Sequence, residues 1–366
     1  MSVSAILTAA TRASRLHFID FLRAIAAQLI VWHHLAFYGP LSDVARPLTP
    51  LLLDGLHYHA RMAVQVFFVI AGFVTAQHIE GRQGSGPGDF LGQLARRYRR
   101  TGGPYLVVLV LAIAANALAD HWMDHRSISA APTFAQILAH VFYLQDLLGY
   151  EALSAGIWYL AIDFQLFALV LAWVGIVGWL ARRLSVQPRA VVIFTRATLA
   201  ALAVVSLFYF NRDGGLDRWA IYFFGSYFLG MVVRWTIDGV VARGYLWTYL
   251  ALMTMAMAID WRPRLLVAAL TALVIVLAAH RRFLQPWPES AVVAYLGQTS
   301  FSLFLVHFPV CLVVNAWFSR LALAPREAWL AMLCAYGASL VLAAVFHRLV
   351  ELPFQRGALR ARKAPT

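Results

Sequence analysis

Four ionisable side chains, Asp20, Arg23, His33 and His34, fall in one apolar stretch. Burying such groups in hydrocarbon costs at least a few kcal/mol, so their presence in a membrane-length segment points to function. Arg23 and His34 are eleven residues apart, which on a helix brings them within about 20° of one face, while His33 is turned about 80° aside. They are also about 16 Å apart along the axis, too far for a direct hydrogen bond. The spacing suits one cavity read at two depths, with a long substrate whose anionic end meets Arg23 and whose reactive end meets His34. A desolvated imidazole favours its neutral form and can accept a proton from an attacking hydroxyl. The plainer alternative pairs Asp20 with Arg23 at i, i+3 as an interface anchor and leaves His34 as a packing residue.

Arg96, Arg97, Arg99 and Arg100 form a cluster where a third apolar segment begins. Positive charge at a helix start opposes the helix dipole, and a bound anion relieves that conflict. The guanidinium fork matches phosphate geometry, although an anchor on lipid phosphates uses the same chemistry. Ser300 and His307, seven residues apart, share a helix face, so His307 either lines the same cavity or is a buried, satisfied histidine. His33, His57 and His59 invite a metal reading, but no carboxylate or further ligand is spaced to complete it, and no metal is expected.

The elements that must hold these groups are membrane helices. The chain is 61% hydrophobic and 13% charged, against roughly 45–50% and 25% in soluble domains. Continuous apolar runs near the bilayer-spanning length recur from end to end, and they do not alternate as barrel strands do. Spans are expected at about 18–38, 61–80, 101–119, 157–180, 191–210, 219–237, 244–260, 264–280, 291–317 and 328–349. This is an all-α polytopic membrane bundle of about ten helices with both termini cytoplasmic, forming one domain over 1–366. Residues 120–156 make the longest outer segment, and its apolar piece Phe134 to Leu148 is too short to span, as in a re-entrant or interfacial helix.

The +13 charge rests almost wholly on arginine, since Lys363 is the sole lysine. Roughly nineteen basic residues fall in segments assigned to the cytoplasm, including Arg12, Arg15, Arg82, Arg182, Arg183 and Arg348, against roughly nine outside, including Arg61, Arg126 and Arg262. The charge is therefore topological, which argues against a nucleic-acid partner and for membrane lipids. Cys311 and Cys334 lie in apolar helices, where a thiol packs as a small hydrophobe. The first apolar run holds Asp20, Arg23 and two histidines and lacks a cleavage site close behind it, so it reads as a retained helix. Gly81 to Gly88 reads as a flexible inner loop, and no repeat or inter-domain linker is visible.

Several motifs then carry a resemblance. Phe18-Ile19-Asp20-Phe21-Leu22-Arg23, followed by His34, is similar to the opening motif of the acyltransferase 3 family of membrane acyltransferases. Val66 to Phe73 resembles its second-helix motif, with Ala71 where Ser is usual, and Arg97 to Arg100 resembles its paired arginines. Trp158 to Asp163 resembles its Trp-x-Leu-x-x-Glu motif, Ser300 through His307 its Ser-Tyr-x-x-Tyr-Leu-x-His motif, and Glu351-Leu352-Pro353 its closing Glu-x-Pro. Asp163 stands for Glu, and Phe301 and Phe304 stand for the two tyrosines. Asp163 keeps the carboxylate on a shorter arm, and the lost hydroxyls imply that neither tyrosine serves the chemical step here.

The resemblance implies acyl transfer, acetyl by expectation, from cytosolic acetyl-CoA to a hydroxyl of an extracytoplasmic carbohydrate or glycolipid at a bacterial inner membrane. On that reading Arg97 and Arg100 hold the donor's phosphates, Arg23 and Asp20 line the cavity, His34 is the general base, and Asp163 and His307 support it. Asp163 either orients His34, binds sugar hydroxyls or simply favours its helix dipole. Trp158 stacks on a sugar face, and Glu351 pairs with cytoplasmic arginine. A proton-coupled transporter or flippase also uses buried Arg, His and Asp, but inverted repeats and paired broken helices are missing from the sequence. An inactive, partner-binding relative is a further alternative, given Ala71, Phe301 and Phe304.

The arginine asymmetry makes topology testable. Reporter fusions at Thr366 and in the 211–217 loop should read cytoplasmic and extracytoplasmic respectively. A periplasmic signal from Thr366 overturns the assignment and puts the Arg97 cluster on the wrong side for a cytosolic donor.

Overall fold

The computed structural model describes residues 16–80, 90–284 and 291–360. Gly81 to Gly88, Arg12, Arg15, Arg82, Lys363 and Thr366 lie outside the described residues. The described residues contain helices and turns and no strand. The helices are α1 (His17–Phe37), α2 (Leu41–Ala45), α3 (Pro50–His59), α4 (Val64–Glu80), α5 (Phe90–Asp120), α6 (Phe134–Val141), α7 (Ile157–Arg183), α8 (Pro188–Phe208), α9 (Ile221–Ile237), α10 (Arg243–Ile259), α11 (Pro263–His280), α12 (Ala291–Phe318), α13 (Pro325–Phe346) and α14 (Leu352–Arg360).

Each of the ten expected spans is met by a helix: α1, α4, α5 and α7 to α13. Among the described residues seven helical stretches are long and apolar enough to cross a membrane, by length and composition. Proline begins α3, α8, α11 and α13 at the first turn, where its missing N–H has no helical partner to lose. The helix α1 lies outside the set of seven, and it carries Asp20, Arg23, His33 and His34. The helices α9 and α10 have 17 residues each, at the short end of what a bilayer core requires.

Polar contacts join the helix ends in an alternating, antiparallel order. At one end the Leu41 N–H donates to Asn315 Oδ1 at 3.2 Å, and Trp329 Nε1 donates to Thr49 Oγ1 at 3.0 Å. The same end holds Arg262, whose guanidinium donates to Leu207 O and Asn211 Oδ1 at 2.8 and 3.0 Å. At the opposite end the Phe18 N–H donates to Leu284 O at 3.3 Å, and Arg196 meets Glu80 at 3.4 Å. The 120–156 segment carries only the short α6, capped by Thr133 Oγ1 accepting from the Gln136 N–H, so this piece does not span.

The α4–α9 contact sits in the larger of the buried hydrophobic clusters. A Cβ on Gly72 would lie 1.8 Å from Tyr227 O, and one on Gly230 1.9 Å from Val69 O. Both gaps are far below contact distance, so the backbones approach because neither side has a side chain, as small residues permit between membrane helices. Thr75 Oγ1 and the Tyr227 hydroxyl close the same seam at 2.6 Å.

Gly230→Ala should therefore abolish the monodisperse, folded peak of the purified protein in detergent. Gly175→Ala, which meets nothing within 4 Å, should leave it intact or stabilise the protein by about 0.5–1 kcal/mol. Equal behaviour of the two variants would mean that the α4–α9 seam can spread at little cost.

Candidate active site

The last turn of α1 carries His34, and the middle of α12 carries His307. The two rings lie nearly parallel, 10° apart, with His34 Nδ1 2.6 Å from His307 Nε2. Both are buried, His307 completely. His307 Nδ1 is 3.1 Å from Leu303 O, one turn back on its own helix. A carbonyl only accepts, so Nδ1 of His307 carries the proton and Nε2 of the neutral ring accepts. The His34 Nδ1–H is then the donor across the helix pair. His34 Nε2 is left with its lone pair and no hydrogen-bond partner among the described residues. The chain of hydrogen bonds thus fixes a proton-accepting tautomer, with His307 in the orienting position.

His34 opens onto a cavity of about 360 Å³. Phe37, Tyr38, Trp158, Tyr159, Phe304 and Phe308 give it an aromatic wall, and Arg61, Arg126, Glu151 and Asp217 give it polar groups. Gly156, at φ +84°, permits the turn into α7 and packs against the rings: a Cβ there would lie 3.2 Å from Phe304 and 3.6 Å from His34. His33 does not turn away from this cavity as the angular argument expects. It lines a wall, with its ring 5.1 Å from that of His34 and Nδ1 donating to Leu56 O at 3.1 Å. His57 Nδ1 donates to Ala36 O at 3.3 Å, satisfying a carbonyl at the C-terminal end of α1. Among the described residues no group of three His, Cys, Asp or Glu side chains is arranged to hold a metal ion.

A second polar group lies deeper along α5 and α7. Arg97 donates to Asp163 Oδ2 at 2.6 Å, and its guanidinium stacks 4.2 Å from the Phe167 ring centroid. The carboxylate proposed to orient His34 is therefore engaged with Arg97, and the orienting partner is His307. Asp163 Oδ1 and Arg97 Nε are buried with no hydrogen-bond partner. Arg23 and Arg100 stand near enough for charge coupling within this group: Arg100 feels Arg23, Arg97, Glu351 and Asp163, and Tyr159 feels Asp163, Arg97 and Arg23. Asp20 and Arg23 approach to 3.6 Å, the pairing of the plainer reading.

Three other expectations change. The helix α5 starts at Phe90, so the arginine cluster lies about two turns inside it, beyond the reach of the N-terminal dipole. The dipole conflict expected to recruit an anion is absent there, although Arg100 is exposed. Glu351 pairs with no arginine in ion-pair range among the described residues. It accepts from Ser302 Oγ at 2.5 Å, His347 Nδ1 at 2.8 Å and Gln355 Nε2 at 2.7 Å, across a π-helical turn at His347–Glu351. Ser300 donates back to Gly297 O at 2.8 Å and, like Asp20, Arg23 and His307, is not among the cavity-lining residues, whereas Trp158 lines the cavity.

Sequence reasoning also passed over Tyr159, Arg61, Arg126, Glu151 and Asp217. Tyr159 follows Trp158 directly and shares its aromatic signal. The four charged residues lie at or beyond the outer ends of the expected spans, far apart in sequence, and their only signal was charge on that side.

The Arg97–Asp163 pair predicts non-additive damage. Arg97→Ala should destabilise the protein by about 3–5 kcal/mol because it strands a buried carboxylate, whereas Arg97→Met with Asp163→Leu should cost much less. Thermal unfolding of the purified single and double variants would read this, and additive losses would show that the two side chains are not energetically a pair.

Comparison with curated proteins finds no match, and comparison with solved structures finds none either. An acyltransferase domain matches residues 16–348, nearly the whole chain and every helix described above as far as the π-helical turn. A bundle of long apolar helices, with a histidine pair under an aromatic cavity, is in this chain the architecture of a multi-pass membrane protein that belongs to the acyltransferase 3 family.

Proposed function

We propose that this acyltransferase moves an acetyl group from cytosolic acetyl-CoA to a hydroxyl of an extracytoplasmic glycan, within a ten-span bundle of a bacterial inner membrane with both termini cytoplasmic. The observation that carries this reading is the His34–His307–Leu303 chain of hydrogen bonds at the wall of the aromatic cavity. Aromatic rings and mixed charges suit a sugar, whose faces stack while its hydroxyls hydrogen-bond. In the proposed topology this cavity is at the extracytoplasmic end.

His34 Nε2 takes the proton of the acceptor hydroxyl as its oxygen attacks the thioester carbonyl. The tetrahedral intermediate expels the CoA thiolate, and the imidazolium returns the proton to that sulfur. While charged, His34 keeps its Nδ1–H on His307, so the orienting bond survives both states. The donor phosphates are assigned to Arg100, which is exposed, with Arg23 beside the path. Arg97, held by Asp163, positions that path. Arg23 and His34 are separated by about 16 Å along α1, which suits an extended donor arm.

His34→Gln should lose about 10²–10⁴ of the rate of acetyl transfer from labelled acetyl-CoA to cell-surface glycan, because an amide cannot take the proton. His307→Phe should lose less, and His33→Ala less again. Mass spectrometry of surface glycans with and without the gene should show one acetyl per repeat lost in its absence. Near-normal transfer by His34→Gln would move the base elsewhere. If the wild type transfers no acetyl while export of a solute depends on His34, the transporter reading replaces this one.

A further inference from the structure

A second cavity, of about 460 Å³, lies away from the histidines between the ends of α4, α7 and α9 and the start of α8. One wall is apolar, with Ile79, Val174, Val191 and Leu199 among its residues. Its polar groups are mostly donors. Arg182 is exposed and has no ion-pair partner among the described residues. Arg196 is paired with Glu80 at 3.4 Å and stacks 5.2 Å from the Trp235 ring centroid. Trp235 is only 3% exposed, and its indole N–H has no acceptor. The indole nitrogen itself has almost no accessible surface, so the cation that an occupant of the cavity can reach is Arg182.

The surroundings decide what that occupant is. The helix α8, which forms one side, is the least covered candidate span, with 22% of its window buried inside the protein. The exposed Ile193 and Phe194 of α8 and Leu180 of α7 are turned outward beside it. Trp179 lies under the Arg183 guanidinium at 5.3 Å, the aromatic and basic pairing of a headgroup layer. Exposed apolar residues of α7 and α8 and a guanidinium stacked on tryptophan therefore flank the cavity.

We propose that this is a binding site for one anionic glycerophospholipid. Its phosphate sits on Arg182, and an acyl chain follows the wall of Ile79, Val174, Val191 and Leu199. Glu80, by neutralising Arg196, leaves the net positive charge of the mouth on Arg182, so preference for a net-negative headgroup depends on that residue. The site lies outside the acyl-transfer machinery, and its test does not require turnover.

Native mass spectrometry of the full-length protein in neutral detergent, titrated with phosphatidylglycerol or phosphatidylcholine, reads the site directly. One retained phosphatidylglycerol per chain is expected, preferred about tenfold over phosphatidylcholine. Arg182→Gln, at an exposed position, should erase the preference. Equal binding of the two lipids by the wild type would overturn the proposal, as would an unchanged preference in Arg182→Gln. Stoichiometric displacement of phosphatidylglycerol by sodium phosphate or acetyl-CoA would also overturn it, making this a site for a soluble anion.

Discussion

Inside a bilayer no water is at hand to satisfy a polar side chain, so each buried charge or imidazole in this protein must find its partner on another helix or on its own backbone. The pairs His34 with His307, Arg97 with Asp163 and Ser302 with Glu351 join α1 to α12, α5 to α7, and α12 to the turn after α13. Each is a cross-link as well as a chemical device, because separating the helices strands both groups in hydrocarbon. The helix order around the cavity is in this sense fixed by the chemistry it contains.

Close helix approach is the second requirement, and glycine meets it. Gly72 and Gly230 let α4 and α9 touch backbone to backbone, and Gly297 of α12 approaches the Asp20 carbonyl, where a Cβ would lie at 2.8 Å. That last contact helps hold α12 against α1, the pair that brings His307 to His34. Aromatic rings fill the remaining space: Phe68, Tyr159 and Phe304 make a connected group between the cavity and the core. In the family motif Phe304 replaces a tyrosine, and here it packs against Phe67 and Tyr159, within the apolar share of the wall.

The arrangement divides the proposed labour along α1. The end near Arg23 gathers several cations around one buried carboxylate, Asp163, and the end at His34 holds a neutral pair beneath rings. A donor with anionic groups far from its reacting carbonyl matches that gradient, since phosphates are attracted at one end while the proton transfer occurs in a drier place. The second cavity, lined by Arg182 and Trp235, stands apart from this axis.

Composition, apolar runs and arginine distribution were enough to read a helical membrane bundle and the ten segments that became helices, because hydrocarbon leaves the backbone so few choices. That His34 lines a cavity was also legible from its motif, whereas its spacing to Arg23 misled, since His33 lines the same cavity and Arg23 is not among the lining residues. The partners were not. Asp163 could have served His34, a sugar or a helix dipole, and only the packing of α5 on α7 gave it to Arg97. His307 could have been a satisfied core residue, and only the approach of α12 to α1 made it the acceptor that fixes the tautomer of His34. The α5 start at Phe90 removed a dipole argument that rested on a boundary two turns too late. Segment identity follows from the transfer energy of consecutive residues, a local property, whereas hydrogen-bond partners are 66 and 273 residues apart in sequence and are chosen by how the helices pack.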